Sequence, residues 1–344
     1  MKQFKLNTKF KQILADTITP VSVYFKIRDK FPNSLLLESS DYHGNDNSFS
    51  YICFNPIASF SFNAGQVKET LPFGESISYH VGPELSLVDA LRKFSGRFQD
   101  DNGKHKFISN GLFGYMQYDT LAYFEDIKLE NSSPDSVPML HYAVYQNVIV
   151  VDHFKNEMHL FEHQVEGIET EVQLPLLETL LNNKNLPSYS FKLVGEESSN
   201  YTDSEFLDIL KKGQEHCFRG DVFQIVLSRN FSTQFKGDEF NVYRALRSVN
   251  PSPYLFYFDY GSYKVFGSSP EAQIVVKNNK ATIYPIAGTF KRTGNDMADA
   301  DLARKLYDDP KENSEHVMLV DLARNDLSRS SEKVEVEVGK EFEV

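Results

Sequence analysis

Residues 250–289 read NPSPYLFYFDYGSYKVFGSSPEAQIVVKNNKATIYPIAGT and predict two consecutive β-hairpins. Their turns fall at residues 260–262 and at Asn278 and Asn279, where small or polar residues interrupt runs rich in β-branched and aromatic side chains. The PIAGT segment (residues 285–289) closes the predicted sheet. This stretch therefore favours a fold built from antiparallel strands.

The segment before the hairpins predicts a helix followed by a strand. Thr202 and Glu205 form a capping box at the start of the helix, which ends near Gly220. Residues 221–231 then alternate as a strand does, with Gln224 on one face. A neutral amide such as Gln224 can orient a substrate group, but it cannot act as a general base near neutral pH.

The same patterns continue along the rest of the chain. Further strands are predicted at residues 34–39, 51–54, 58–62 and 334–344. Further helices are predicted at residues 87–94, 165–181, 240–249 and 296–307, and from Pro310 onward.

Length and charge limit the classes of protein that fit. A chain of 344 residues corresponds to roughly two domains. The polar, broken stretch at residues 182–200 places their boundary near residue 190, which gives regions 1–190 and 191–344. The net charge of −12 repels nucleic acid and anionic membranes, so neither is expected as a partner. Two cysteines and no apolar run of membrane-spanning length predict a cytoplasmic protein.

Two groups of residues are candidate metal ligands. Glu312 and Glu315 are three residues apart on a predicted helix, so both carboxylates project from one face and suit Mg²⁺. The alternative for Glu312 is a capping role, since Asp309 and Glu312 also have the spacing of a capping box. The second group consists of three histidines, for which an exposed hairpin is a commoner setting than a metal site: His153, His159 and His163.

Several motifs together resemble the chorismate-utilising enzymes, and among them the anthranilate synthase component I family. In the second half they are FRGDVFQIVLSRNF (residues 218–231), NPSPYLFY (250–257), GSSPE (267–271), PIAGT (285–289) and ENSEHVMLVDLARNDLSR (312–329). In the first half they are LLES (residues 36–39) and GLFGYMQYD (111–119). The resemblance runs from about residue 20 to the last residue.

The resemblance implies an α+β fold, a mixed α/β sandwich of large, mostly antiparallel sheets packed face to face with helices outside. The implied reaction adds ammonia to chorismate, displaces the ring hydroxyl and eliminates pyruvate to leave anthranilate, with Mg²⁺ on the ring carboxylate. By the same resemblance, Glu315 is a direct metal ligand and Glu312 a water-mediated one.

The resemblance also assigns residues around the substrate. Ala287, Gly288 and Thr289 bind it, and Gln224 and Thr289 are the implied catalytic residues. Isochorismate and salicylate synthases carry a lysine at the position of Gln224, which activates water, so the amide here favours ammonia. Most aminodeoxychorismate synthases carry a nucleophilic lysine in place of Ala287, so Ala287 argues against that covalent route.

Feedback inhibition by tryptophan and a separate glutamine amidotransferase subunit as the ammonia source are further implications of the resemblance. The implied tryptophan-binding residues come from two motifs: Glu38, Ser39, Pro253, Tyr254 and Leu255. Members of the family continue beyond residue 344, so we expect a C-terminally truncated chain with little activity on its own. The alternatives are an aminodeoxychorismate synthase component I and a non-catalytic module that binds tryptophan or the partner subunit.

Overall fold

The computed structural model describes residues 2–39, 48–100, 105–129, 137–291 and 293–336. The chain forms two compact units: the first consists of Met1–Pro251 with Leu255–Gly267, and the second of Ser252–Tyr254 with Ser268–Val344. The units therefore do not divide at residue 190, because strands from both halves of the sequence belong to the first one. The division of the sequence into an N-terminal region, 1–190, and a chorismate-binding region, 191–344, stays a prediction.

Several helices begin at a residue whose side chain caps the first turn. Thr19, Ser86, Thr202 and Asn295 each accept a hydrogen bond from the first turn of the helix that follows. The helices are α1 (Pro20–Ile27), α2 (Leu87–Ser95), α3 (Leu174–Asn182), α4 (Asp203–Phe218), α5 (Phe240–Val249), α6 (Asp296–Asp308) and α7 (Pro310–Ser328). Among the described residues, no helix is both long and apolar enough to cross a membrane.

The strands are β1 (Phe4–Leu14), β2 (Leu35–Glu38), β3 (Phe49–Asn63), β4 (Gln66–Thr70), β5 (Ser76–His80), β6 (Phe98–Asp100), β7 (Phe113–Met116), β8 (Leu140–Asp152), β9 (Glu157–Val165), β10 (Phe191–Ser199), β11 (Phe231–Gly237), β12 (Tyr254–Asp259), β13 (Lys264–Ser269), β14 (Val275–Lys277) and β15 (Lys280–Thr282). Eleven of them form one large sheet with the order β13-β12-β2-β3-β8-β9-β1-β6, to which β4, β5 and β7 attach at its margins. The β1–β6 pair is parallel. The α+β class with a large, mostly antiparallel sheet is confirmed, and in the described part of the chain the remaining strands form two two-stranded ladders.

The core of the first unit lies on both faces of this sheet. Ile52, Ile149 and Leu160 are cross-strand neighbours on β3, β8 and β9, and they pack with side chains of α1, α3 and α5. The next residues in register, Cys53 and Val148, point to the opposite face and join a second cluster. Because β8 is buried on both faces, its sequence is apolar along most of its length. This rigid sheet carries β2 and β12, on which candidate residues lie.

Several elements predicted from the sequence are confirmed, and others are present with different boundaries. Both hairpins form, and Asn278 and Asn279 have φ values of 52° and 61°, as the β14–β15 turn requires. The strands predicted at 51–54 and 58–62 are one strand, β3, with a register shift between Pro56 and Ala58. The helix predicted at 165–181 begins only at Leu174, because Val165 still pairs with Leu6 in the sheet.

Three predicted strands are not found as strands. Residues 221–230 are irregular and β11 begins at Phe231, because in the described part of the chain no strand offers its hydrogen-bonding groups to residues 221–230. PIAGT at residues 285–289 is likewise irregular. Of the predicted strand at 334–344, residues 334–336 are irregular and the remainder lies outside the described residues.

Candidate functional site

The structure brings two of the sequence motifs together in the first unit. β2 carries Glu38, β12 carries Leu255, and the two residues are antiparallel partners in the sheet. They are separated by more than 200 positions in the sequence, so the sheet alone makes them neighbours. Pro253 and Tyr254, from the same motif as Leu255, are assigned to the second unit.

Glu38 is a buried carboxylate that is only partly satisfied. Its Oε2 accepts a hydrogen bond of 2.6 Å from the Tyr243 hydroxyl and lies 3.2 Å from Arg247 Nε. Its Oε1 is buried, and none of the described residues donates a hydrogen bond to it. Burial raises the pKa of the Glu38 carboxyl above its ordinary value, and the contacts with Tyr243 and Arg247 oppose that rise. A buried acceptor without a donor is costly, so Oε1 is a candidate contact for a ligand that donates a hydrogen bond.

Ser39 follows directly and is half-buried. Its backbone N–H donates to Ser50 Oγ at 3.2 Å, and the Ser48 hydroxyl donates to Ser39 Oγ at 3.3 Å. These contacts fix the chain where it leaves β2. Ser39 Oγ keeps a donor proton and a second lone pair that could contact a ligand.

A second group of candidate residues meets in the second unit. A Cβ built on Gly288 would overlap Oε2 of Glu312 and would lie 3.0 Å from both Glu312 Cδ and Leu306 Cδ1. Gly288 is therefore required for close approach. The structure places the backbone of the PIAGT motif directly against the first glutamate of the predicted metal pair. Ala287 beside it is half-buried and Thr289 is exposed.

The structure shows that Glu312 does not complete a capping box at the start of α7. Asp309 caps the helix, since its carboxylate accepts from the N–H groups of Lys311 and Glu312. The return bond of a capping box is not made, because the Asp309 N–H donates to the Leu306 carbonyl instead. The Glu312 carboxylate consequently faces Gly288, with Lys311 Nζ 3.4 Å from its other oxygen.

Glu315 lies three residues further along α7 and is half-buried, as Glu312 is. The i, i+3 spacing on a regular helix puts the two carboxylates on one face, as the sequence predicted. Carboxylate oxygens are the ligands that Mg²⁺ prefers, so the donor set fits that ion.

Gln224 lies in the first unit and is exposed, within the irregular segment that precedes β11. Its neighbours Ile225 and Leu227 contact the position of Gly213 on α4, which fixes the local path of the chain. The structure therefore does not place Gln224 in a strand.

The three histidines do not converge on one point. His153 Nε2 contacts Ser50 Oγ at 2.7 Å, and His163 contacts Thr8 Oγ1 and the Ser109 carbonyl oxygen. His159 instead lies beside two carboxylates, Asp152 at the end of β8 and Glu157 on its own strand, β9.

Asp152, Glu157 and His159 bring one potential ligand atom each within 4.8 Å of one another. The β8–β9 register explains this, because Asp152 is opposite Glu157 and His159 is two residues further along the same face. Lys106 Nζ lies 3.0 Å from Asp152 Oδ2, so this carboxylate also takes part in an ion pair. Sequence reasoning considered only its histidine, although the hairpin register could have predicted all three residues.

Comparisons with known proteins show the family to which the chain belongs. Residues 33–344 match the family described as chorismate binding enzyme. Anthranilate synthase component 1 of Lactococcus lactis is 32% identical over 338 residues, covering 96% of this chain and 72% of that protein. The corresponding protein of Aquifex aeolicus is 32% identical over 341 residues, covering 96% of this chain and 68% of its own length.

Two solved structures are similar to the fold. Anthranilate synthase component I from Streptococcus pneumoniae superimposes with a TM-score of 0.64 at 27% identity, covering 94% of this chain and 69% of that one. The menaquinone-specific isochorismate synthase from Escherichia coli also reaches 0.64, at 15% identity and with 98% and 67% coverage, so it supports the fold alone.

Proposed function

Because the chain belongs to the family of chorismate-binding enzymes, we propose that it is the aminase component of an anthranilate synthase, a carbon–oxygen lyase of tryptophan biosynthesis. Chorismate and ammonia give anthranilate, pyruvate and water. Ammonia forms the new C–N bond, the ring hydroxyl leaves as water, and loss of the enolpyruvyl side chain makes the ring aromatic.

One observation carries this proposal: the backbone at Gly288 packs against the Glu312 carboxylate. The motif expected to bind the substrate and the helix expected to bind the metal are thus adjacent within one compact unit. A substrate carboxylate held at residues 287–289 would lie beside Glu312. Two carboxylates repel each other at short distance, and a cation between them would remove that repulsion.

Glu312 and Glu315 would hold Mg²⁺, and the ion would neutralise the substrate carboxylate and fix its orientation. Gly288 permits close backbone approach, and Thr289 offers its hydroxyl and N–H to the substrate. Ala287 has no group that could attack the ring, which favours direct addition of ammonia over a covalent intermediate. Gln224 can orient a nucleophile but cannot remove a proton from water.

Tryptophan is the proposed inhibitor. The unsatisfied Oε1 of Glu38 suits an ammonium group, which is a charged hydrogen-bond donor. Ser39 follows Glu38 in the sequence, and Leu255 is the antiparallel partner of Glu38 in the sheet. Pro253 and Tyr254 are proposed to line the indole pocket.

A glutamine amidotransferase subunit is the proposed source of ammonia. The two cysteines are Cys53, which is buried, and Cys217, which is exposed. Burial raises the pKa of the Cys53 thiol, which disfavours the nucleophilic thiolate. Neither cysteine lies in a nucleophile elbow with a partnering histidine, so this chain does not supply a glutaminase.

The proposal is tested by assaying turnover with excess ammonium, chorismate and Mg²⁺. The assay uses the 344-residue chain alone and fused to the part of the Lactococcus lactis relative beyond the matched region. Glu312→Gln and Glu315→Gln should each lower anthranilate formation at least about a hundredfold, because each removes a charge from the metal site. Asp321→Asn, an exposed carboxylate on the same helix, is the matched control and should be neutral.

Aminodeoxychorismate as the product would identify the alternative enzyme. Tryptophan binding without any product from either protein would identify the non-catalytic module. Unchanged anthranilate formation in both glutamate variants would contradict the assigned metal site.

A further inference from the structure

Helix α5 presents two polar side chains to the same oxygen of Glu38. Tyr243 and Arg247 are four residues apart and so share one face of the helix. Both contact Oε2 and leave Oε1 without a donor in the described part of the chain. One oxygen of this buried carboxylate is thus fixed by the protein, while the other remains available.

Tyr243 is held rigidly enough to fix that oxygen. Its ring is fully buried, and its centroid lies 5.5 Å from those of Phe240 and Tyr257. Burial and the nearby Glu38 carboxylate raise the pKa of the Tyr243 hydroxyl, which therefore stays protonated and remains a donor. Arg247 differs in being about one-third exposed, so its charge can be removed with less loss of packing.

We infer that Tyr243 and Arg247 are positioning residues for the inhibitor: they fix Glu38 through Oε2 and keep it anionic, so that Oε1 can pair with a ligand's ammonium group. This inference rests on the proposed tryptophan site. It adds that two residues, which need not touch the ligand, set how strongly that site binds the inhibitor. The strength of inhibition and its pH dependence would then be set from α5.

The direction of the pH effect follows from the surroundings of Glu38. Burial already raises the pKa of Glu38, and Tyr243 and Arg247 oppose that rise. Without the Arg247 charge the pKa rises further, so the carboxylate is neutralised at a higher pH. His153 also interacts with Arg247 and contacts Ser50 on β3, but burial lowers its pKa, so it is neutral near pH 7 and does not replace the lost charge.

The test measures tryptophan affinity between about pH 5 and about pH 8 for the whole chain and its variants. The chain contains no tryptophan, so the ligand's own fluorescence anisotropy reports binding. Arg247→Met should bind about tenfold more weakly at the acidic end and approach the unmodified chain at the alkaline end, because the Glu38 carboxylate is protonated at a higher pH once the Arg247 charge is lost. Arg247→Lys should restore most of the binding, and Tyr243→Phe should shift the profile in the same direction by less.

Arg244→Met is the matched control, because Arg244 is exposed on the same helix, donates to Asn241 and lies over the Phe25 ring rather than beside Glu38. Its pH profile should match that of the unmodified chain. Equal loss of affinity at every pH in Arg247→Met would overturn the inference, since it would indicate direct contact with the ligand. The inference would also be overturned if the pH profile of tryptophan affinity were the same in Arg247→Met as in the unmodified chain. Failure of the unmodified chain to bind tryptophan at any pH would instead overturn the proposed inhibitor site.

Discussion

Gly288→Ala tests the close approach between the substrate motif and the metal helix. The added methyl would overlap Glu312 Oε2 and lie 3.0 Å from Glu312 Cδ and from Leu306 Cδ1. Overpacking of this kind costs about 1–3 kcal/mol. We expect the lower end, about 1 kcal/mol, because the atoms that the methyl group meets are the ends of the Glu312 and Leu306 side chains, which can rotate away.

The displaced carboxylate should matter more than the lost stability. Since Glu312 must leave its position over residue 288, we expect Mg²⁺ affinity to fall about tenfold, which corresponds to about 1.4 kcal/mol. Calorimetric titration with Mg²⁺ and denaturant unfolding of the same samples measure both effects. Gly82→Ala is the control, because its Cβ would meet nothing within 4 Å and its φ is ordinary.

A double-mutant cycle separates this overlap from a general loss of packing. In a Glu312→Ala background, Gly288→Ala should cost clearly less stability than in the unmodified chain, because the overlapping carboxylate is gone. The same cost in both backgrounds would refute the reasoning. So would Mg²⁺ affinity that is unchanged by Gly288→Ala.

Arg28→Met should destabilise the first unit by about 3–5 kcal/mol in denaturant unfolding. The substitution leaves the buried Asp238 carboxylate without its partner, because the two terminal nitrogens of Arg28 donate to the two Asp238 oxygens at 2.9 and 2.6 Å. A loss below about 1 kcal/mol would contradict this prediction. Glu162→Gln should lower the free energy of unfolding by about 1–3 kcal/mol, because both oxygens of this buried carboxylate accept hydrogen bonds from backbone N–H groups at the start of α3. An unchanged midpoint of thermal unfolding would contradict that role. Burial lowers the pKa of His141 from 6.5 to about 4 in the folded chain. Between these two pH values the imidazole is protonated in the unfolded chain but neutral in the folded one, so the stability of the fold should decrease as the pH drops from 6.5 towards 4. His141→Gln should flatten the stability profile in that window, and an equally steep profile would contradict the assignment.

Local signals in the sequence predicted local structure well. The Thr202–Glu205 capping box forms and starts α4, and the paired asparagines at 278 and 279 make the turn of a real hairpin. In contrast, alternation at residues 221–230 predicted a strand that does not form, since alternation reports two faces but not a hydrogen-bonding partner. The sequence is therefore a better guide to caps and turns than to pairing.

The candidate sites depend on contacts between distant residues. Spacing could not decide whether Glu312 completes a capping box at the start of α7. The hydrogen bond from the Asp309 N–H to the Leu306 carbonyl shows that it does not. Tyr243 and Glu38 are 205 residues apart, and no local pattern connects them. The motif resemblance pointed to Glu38, but its two partners on α5 required the fold.

Product identity tests the central claim most directly. The chain, alone and in the fused form, would be incubated with chorismate, Mg²⁺ and isotopically labelled ammonium, with the full-length Lactococcus lactis relative as the positive control. The account predicts anthranilate that carries the labelled nitrogen, together with an equal amount of pyruvate. Isochorismate or aminodeoxychorismate as the product, or no anthranilate from either form while the relative is active, would contradict it.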